Sequence, residues 1–102
     1  MPVDCVLQTE DGEEIDRLSD AEGVLNRLIP SLEDGSFQCW RFIDPYGDTV
    51  FNRLQMPQFL AELSVIRDRA GDATTRRVLD VLERLAKRCQ DEVHLYLSFR
   101  GD

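Results

Sequence analysis

Hydrophobic and polar residues alternate near both ends of the chain, which predicts a β-strand at each end. Residues 3–8 place Cys5 and Leu7 on one side, although the alternation there is only rough. Residues 92–99 alternate cleanly, with Leu97 and Phe99 among the apolar positions. A period of two residues is the signature of a strand that has one buried face.

The first strand is followed by a turn signal. Asp11-Gly12 is a dipeptide that a two-residue type I′ hairpin turn prefers, because both central residues of that turn take positive φ. We therefore predict a hairpin whose return strand covers residues 13–18. That segment is poor in apolar residues, so we expect it to lie at the edge of a sheet.

An aromatic segment in the middle of the chain predicts a second hairpin. Residues 37–43 form the strongest strand signal, and residues 49–53 form the return strand. Pro45 and Gly47 suit the turn between them. This hairpin contains five of the eight aromatic residues, namely Phe37, Trp40, Phe42, Tyr46 and Phe51.

Apolar residues at helical spacing predict a first helix over residues 19–29. Ser19 and Glu22 have the spacing of a capping box at its start, and Pro30 ends the segment. Gly23 lies inside the predicted helix and costs up to about 1 kcal/mol relative to alanine.

Two longer helices are predicted in the second half of the chain. The first covers residues 57–70 and stops at Gly71, and the second starts at Asp72 or Thr74 and continues to residue 89. The outer face of the last helix alternates acids and bases at four-residue spacing, which indicates a solvated face and not a nucleic-acid stripe.

The predicted element order is β-β-α-β-β-α-α-β, in one domain that covers residues 1–102. Hairpins separated by helices are typical of an α+β protein. We expect a mainly antiparallel sheet of about five strands, with the helices packed mainly on one face. The length of 102 residues is sufficient for one hydrophobic core.

The distribution of charge along the chain limits the kinds of partner that the protein binds. The net charge is −8, and the first 48 residues alone contain twelve acids against three arginines, which is a net charge of −9. Phosphate-driven binding of nucleic acid is disfavoured by such a field, whereas a basic protein partner is favoured. The excess of arginine over lysine favours a GC-rich bacterial source. No membrane span or signal peptide is apparent, so we expect a cytoplasmic protein.

Few residues suggest chemistry. Cys5, Cys39 and Cys89 are far apart in sequence and contain no C-x-x-C pair, so we expect reduced, buried thiols. His94 is the only histidine, and a catalytic pair with a cysteine needs proximity that one sequence does not establish. The acidic turn at residues 10–16 lacks the ligand pattern of an EF-hand loop. We expect no catalytic residue, metal or cofactor.

The leading hypothesis is a small, acidic, non-enzymatic protein-interaction module. An inhibitor or immunity-type protein that neutralises a basic partner matches this charge pattern. The candidate binding site combines acidic residues with aromatic anchors, namely Glu10, Asp11, Glu13, Glu14, Asp16, Trp40, Tyr46 and Asp48. Aromatic residues are common anchors of protein interfaces.

Three alternatives stay open at this point. The acidic turn is also what an edge strand needs to avoid pairing with other chains. The aromatic hairpin leaves either an exposed apolar patch, as in a homodimer, or a strand that is covered on both faces. A small ligand-binding domain or enzyme with a pocket between sheet and helices is the third alternative.

Overall fold

The computed structural model describes residues 2–20 and 22–101. It contains four strands and three helices, and it confirms the α+β class. The strands are β1 (Asp4–Thr9), β2 (Glu14–Leu18), β3 (Asp48–Asn52) and β4 (Leu95–Arg100). The helices are α1 (Val24–Leu28), α2 (Met56–Arg69) and α3 (Ala73–Asp91).

The four strands form one antiparallel sheet in the order β2-β1-β4-β3. The central pair is β1 and β4, in which Thr9 lies opposite Leu95 and Asp4 lies opposite Arg100. The edges are β2, as the weakly apolar sequence predicts, and β3. No helix within the described residues combines the length and the apolarity needed to cross a membrane.

The first hairpin is present, but its turn differs from the predicted one. Gly12 has φ +86° and Asp11 does not have positive φ. The Gly12 N–H donates to the Thr9 carbonyl, and the Thr9 N–H donates to the Glu13 carbonyl, both at 2.9 Å. This pattern is that of a type I turn closed by a glycine bulge, so the loop has three residues and not two.

All three helices contact one face of the sheet or each other, and the core lies between these layers. Four aromatic rings fill its centre, with Phe59 contacting Trp40, Phe51 and Phe99 at centroid distances of 5.1 to 5.7 Å. In α3 the buried stripe includes Leu79 and Leu82. Val78 and Val81 are also apolar, but they lie beside this stripe and are only partly buried.

No helix of the described residues packs on the other face of the sheet, yet two residues of that face are buried. Val6 is fully buried and Ser98 is 3% exposed. They lie opposite each other in the register, and Val6 also lies opposite Arg17. Arg17 bonds Asp4 at 3.0 Å, and Arg100 bonds Gln8 at 2.8 Å. Long side chains of the sheet itself therefore cover this face, as their aliphatic stems allow.

The strand predicted over residues 37–43 is wrong. The segment contains a short 3-10 turn at Trp40–Phe42 and joins no sheet, so the sheet has four strands instead of five. Its buried residues are Phe37, Cys39, Trp40 and Ile43, and burial of the two consecutive residues 39 and 40 breaks the period of two that a strand with one buried face requires. Their β-propensity indicated a strand, but packing and hydrogen bonding to α2 determine the outcome.

Glu62 of α2 provides that hydrogen bonding. Its carboxylate is 3% exposed and accepts from three successive backbone N–H groups, those of Gln38, Cys39 and Trp40, at 2.7, 3.1 and 3.0 Å. The Gln58 side-chain amide donates a further bond at 2.7 Å. Backbone amides thus solvate a buried charge, which is costly to bury without such partners.

The first helix is shorter than predicted and starts differently. It begins at Val24, and its N-cap Gly23 has φ +72°. The buried Asp20 carboxylate accepts from the N–H groups of Val24 and Leu25 at 2.9 and 2.6 Å. Asp20 therefore supplies the acceptor that the sequence analysis assigned to Ser19, and Glu22 lies outside the helix. Ala21 lies outside the described residues.

The N-terminus of the last helix lies at Asp72, one of the two starts that the sequence predicts. Asp72 is its N-cap, and the Asp72 carboxylate accepts from the backbone and the hydroxyl of Thr75 at 3.1 and 2.6 Å. These hydrogen bonds to Thr75 lower the pKa of Asp72 below its usual range. Asp80 pairs across to Arg67 of α2 at 2.5 Å, so not all charges of α3 pair within the helix as predicted.

The face assignment of α3 is testable by a pair of alanine variants. Leu82 is fully buried, so we expect Leu82→Ala to lower the free energy of unfolding by about 2–5 kcal/mol. The Arg84 side chain is 62% exposed, and its contact to Asp16 is long at 3.6 Å, so Arg84→Ala is expected to cost less than about 0.5 kcal/mol. Chemical denaturation measures both values, and similar losses would contradict the assignment.

A second pair of variants tests the role of Glu62. Glu62→Gln retains the shape but replaces one accepting oxygen by an NH2 group that faces N–H donors. We expect a loss of on the order of 3 kcal/mol, because hydrogen bonds to a charged group are strong and an unpaired buried donor is costly. Glu83→Gln makes the same chemical change at a more exposed site of α3 and serves as the control.

The fluorescence of Trp40 reports whether the Glu62→Gln variant loosens the segment that Glu62 holds. Trp40 is the only tryptophan, and it is fully buried against Phe59. We expect Glu62→Gln to shift its fluorescence emission to longer wavelength at denaturant concentrations below global unfolding. Equal stabilities and equal spectra for the two variants would show that Glu62 does not hold the segment.

Candidate partner-binding site

The hairpin turn between β1 and β2 exposes a group of carboxylates. Glu10, Asp11 and Glu13 are all exposed, and none of them forms an ion pair within the described residues. The Thr9 hydroxyl accepts from the Glu13 N–H at 3.1 Å and helps to fix the turn. Three negative charges therefore project from a turn whose backbone is defined.

The two other acids of this region are engaged inside the chain. Glu14 pairs with Arg17 at 3.0 Å across three residues of β2. Asp16 accepts from the Arg17 N–H at 2.8 Å and lies 3.6 Å from the Arg84 guanidinium of α3. These contacts leave Glu14 and Asp16 less available to a partner than the turn acids, although exposed pairs contribute little to stability.

The aromatic part of the predicted site is divided. Trp40 is fully buried, and its indole Nε1 donates to the Phe59 carbonyl at 3.2 Å, so Trp40 is a core residue and not an exposed anchor. Tyr46 is 71% exposed, and Asp48 is also exposed. Both lie in or beside the turn that leads into β3.

The register separates these residues from the acidic turn. Asp48 lies opposite Arg100, at the end of the sheet where Asp4 begins β1. The acidic turn follows Thr9 at the other end of the same strand. Six residues of extended chain span about 17 Å, so Tyr46 and Asp48 do not belong to one compact site with the turn acids.

Two exposed apolar residues outside the predicted site lie at the same end of the sheet as the acidic turn. Val93 is 62% exposed and Leu54 is 73% exposed. Both line a shallow depression of about 250 Å³, together with Asn52, Arg53, His94, Leu95 and Tyr96. Because Thr9 pairs with Leu95, the next residues on each strand, Glu10 and His94, are neighbours at this end.

The backbone explains why Val93 faces outward. His94 has φ +74°, and it is the only non-glycine residue with positive φ among those that the structure describes. This conformation ends the turn after α3 and delays the start of β4 until Leu95. The predicted alternation of residues 92–99 therefore holds from Leu95 onward, while Val93 leaves the core.

The cysteines and the histidine differ in their exposure to solvent. Cys5 and Cys89 are fully buried, and Cys39 is 5% exposed, whereas His94 is exposed. Burial raises the pKa of Cys5 well above its usual value. It also raises the pKa of Cys89 to about 11, and burial followed by the charge of Glu62 raises the pKa of Cys39 to about 11. The reactive thiolate is thus scarce at neutral pH.

Metal binding finds no support in the same region. Within residues 2–20 and 22–101, no three side chains of His, Cys, Asp or Glu are grouped so as to hold an ion. The acidic turn therefore offers charge but no cage of ligands.

Comparison with models of protein families, with curated proteins and with solved structures finds no significant match for this chain.

Protection of the thiols is a direct consequence of their burial. We expect Cys5, Cys39 and Cys89 to react with Ellman's reagent only slowly at neutral pH in the native protein, and rapidly after unfolding in guanidinium chloride. Absorbance of the released thiolate measures both rates. One thiol that reacts in the native protein as fast as in the unfolded chain would contradict the burial and the raised pKa values.

Proposed function

We propose that the protein is a non-enzymatic interaction module that binds a basic protein through the end of the sheet where the β1–β2 turn lies. The observation that carries the proposal is the exposure of Glu10, Asp11 and Glu13 without ion-pair partners in the described part of the chain. Unpaired exposed charges steer a partner of opposite charge at long range.

The apolar residues beside the turn complete the proposed surface. Val93 and Leu54 supply exposed apolar area, and the end of α3 adds the exposed acid Asp91, whereas Glu92 pairs with Arg88 at 2.9 Å. Interfaces combine an apolar centre with a polar rim, and charge mainly sets the association rate and the specificity. Val93 and Leu54 thus take the role that the sequence analysis gave to Trp40.

The kind of partner follows from the sign of the charge. A protein of net charge −8 repels polyanions, so a cationic protein surface is the complementary one. An inhibitor or immunity-type role, in which this protein blocks a basic enzyme or toxin, is consistent with the small size and with the acidic net charge.

The test compares two triple variants that have the same net charge. Glu10→Gln, Asp11→Asn and Glu13→Gln neutralise the turn, whereas Glu22→Gln, Glu33→Gln and Asp68→Asn neutralise three exposed acids elsewhere. The immobilised proteins are incubated with cell extract at low salt and eluted with increasing salt. We expect a basic protein to be retained by the wild type and by the second variant, and its retention by the turn variant to fall at least tenfold.

Three results would contradict the proposal. They are the absence of any retained protein at low salt, retention that does not depend on salt, and equal loss of retention in the two variants. The last result would assign binding to net charge instead of to the turn. Sedimentation of the wild-type protein over a concentration series identifies self-association, which is the competing explanation for an exposed apolar surface.

A further inference from the structure

A second surface site lies away from the acidic turn, between the end of α1 and the segment that follows the 3-10 turn. It is a groove of about 470 Å³. Leu32 is 63% exposed and Phe42 is 50% exposed at this groove. Its apolar lining comprises Ile29, Pro30, Leu32, Phe42, Ile43 and Pro45. Grooves of this volume are typical of sites for small organic molecules.

Arg41 contributes to the groove a guanidinium that has no ion-pair partner in the described part of the chain. Its guanidinium lies 4.7 Å from the centroid of the Phe42 ring. The Arg41 Nε atom is buried and has no hydrogen-bond partner, and Arg41 forms no ion pair within the described residues. A buried guanidinium N–H without an acceptor is unfavourable and is rare in folded proteins.

The nearest acid of the groove does not satisfy Arg41. Asp44 also lines the groove, but its Oδ1 accepts from the Tyr46 N–H at 2.9 Å. Its Oδ2 lies on the side of Gly47, so close that a Cβ at that position would be 2.9 Å away. The Asp44 carboxylate is therefore hydrogen-bonded within its own turn and forms no ion pair with Arg41 in the described residues, so the guanidinium has no carboxylate partner there.

We propose that this groove binds a small organic carboxylate that has an apolar body. The carboxylate accepts hydrogen bonds from the Arg41 guanidinium, while the apolar body packs along Phe42, Leu32 and Ile29. A guanidinium offers parallel N–H donors that match the two oxygens of a carboxylate. The apolar lining excludes water from this pair and so strengthens it.

The site is independent of the proposed protein interaction. It is built from residues 26–45, and Pro45 precedes the end of the sheet where Asp48 and Arg100 pair. The acidic turn lies at the opposite end of the strands. Loss of one binding activity therefore leaves the other intact.

The test uses two probes that share a carboxylate and differ in the apolar body, namely decanoate and 2-naphthoate. The neutral controls are decan-1-ol and 2-naphthylmethanol. Titration is followed by ¹H–¹⁵N NMR of the full chain. We expect shifts concentrated in residues 26–45, a shift of the Arg41 Nε–Hε signal, and an affinity for at least one carboxylate that exceeds that of its alcohol at least tenfold.

Variants assign the effect to the groove. Arg41→Gln and Phe42→Ala are expected to lower the carboxylate affinity at least tenfold. Arg53→Gln, which removes an exposed arginine elsewhere, is expected to leave it unchanged. If Arg41→Gln does not fold, as judged by circular dichroism, the Arg41 Nε–Hε shift in the wild type answers the same question. The proposal is overturned if neither carboxylate binds, if the alcohols bind equally well, or if the Arg41 signal does not move.

Discussion

The contact between the Glu62 carboxylate and three successive backbone N–H groups determines how the middle of this chain is arranged. A carboxylate on the buried face of a helix requires donors, and a segment without a sheet partner requires acceptors. Each satisfies the other, with N–O distances of 2.7 to 3.1 Å. The contact places Trp40 on Phe59 and brings Phe37 and Ile43 into the core.

The sheet then separates the two proposed binding surfaces. Antiparallel pairing of β1 with β4 puts the acidic turn beside His94 at one end and puts Asp4 beside Arg100 at the other. The segment that Glu62 holds continues to Arg41 and so places a guanidinium in a groove outside the acidic end. The net charge of −8 does not describe the electrostatic potential at either surface. A ligand or partner responds mainly to the charges near its own binding site.

Local patterns predicted much of the fold. The hairpin of β1 and β2, the two long helices and the alternation of β4 all follow from periods of two or 3.6 residues and from caps such as Asp72. The strand over residues 37–43 was predicted wrongly because its partner, Glu62, is distant in sequence. The signal was present, since Glu62 occupies an apolar-face position of α2 between Phe59 and Ile66.

The candidate site was predictable only in part, for a related reason. The turn acids were selected by composition and are exposed, but exposure of Val93 depends on the positive φ of His94, which no pattern signals. Trp40 was selected by residue type, although its environment makes it a core residue. Leu54 lies near the acidic turn because β3 pairs with β4. The predicted hairpin instead paired this strand with residues 37–43, so it did not place Leu54 there.

The way in which Glu62 holds the segment also has a consequence for local unfolding. Residues 37–43 form no strand, and their amides at positions 38–40 donate to a single side chain, so we expect the segment to open as a unit at a free energy below that of global unfolding. Exchange of the Gln38, Cys39 and Trp40 amide hydrogens with solvent measures this opening. A molecule bound at Arg41 stabilises only the closed form, in proportion to its occupancy. We therefore expect hydrogen exchange of these three amides to slow as the Arg41 groove becomes occupied.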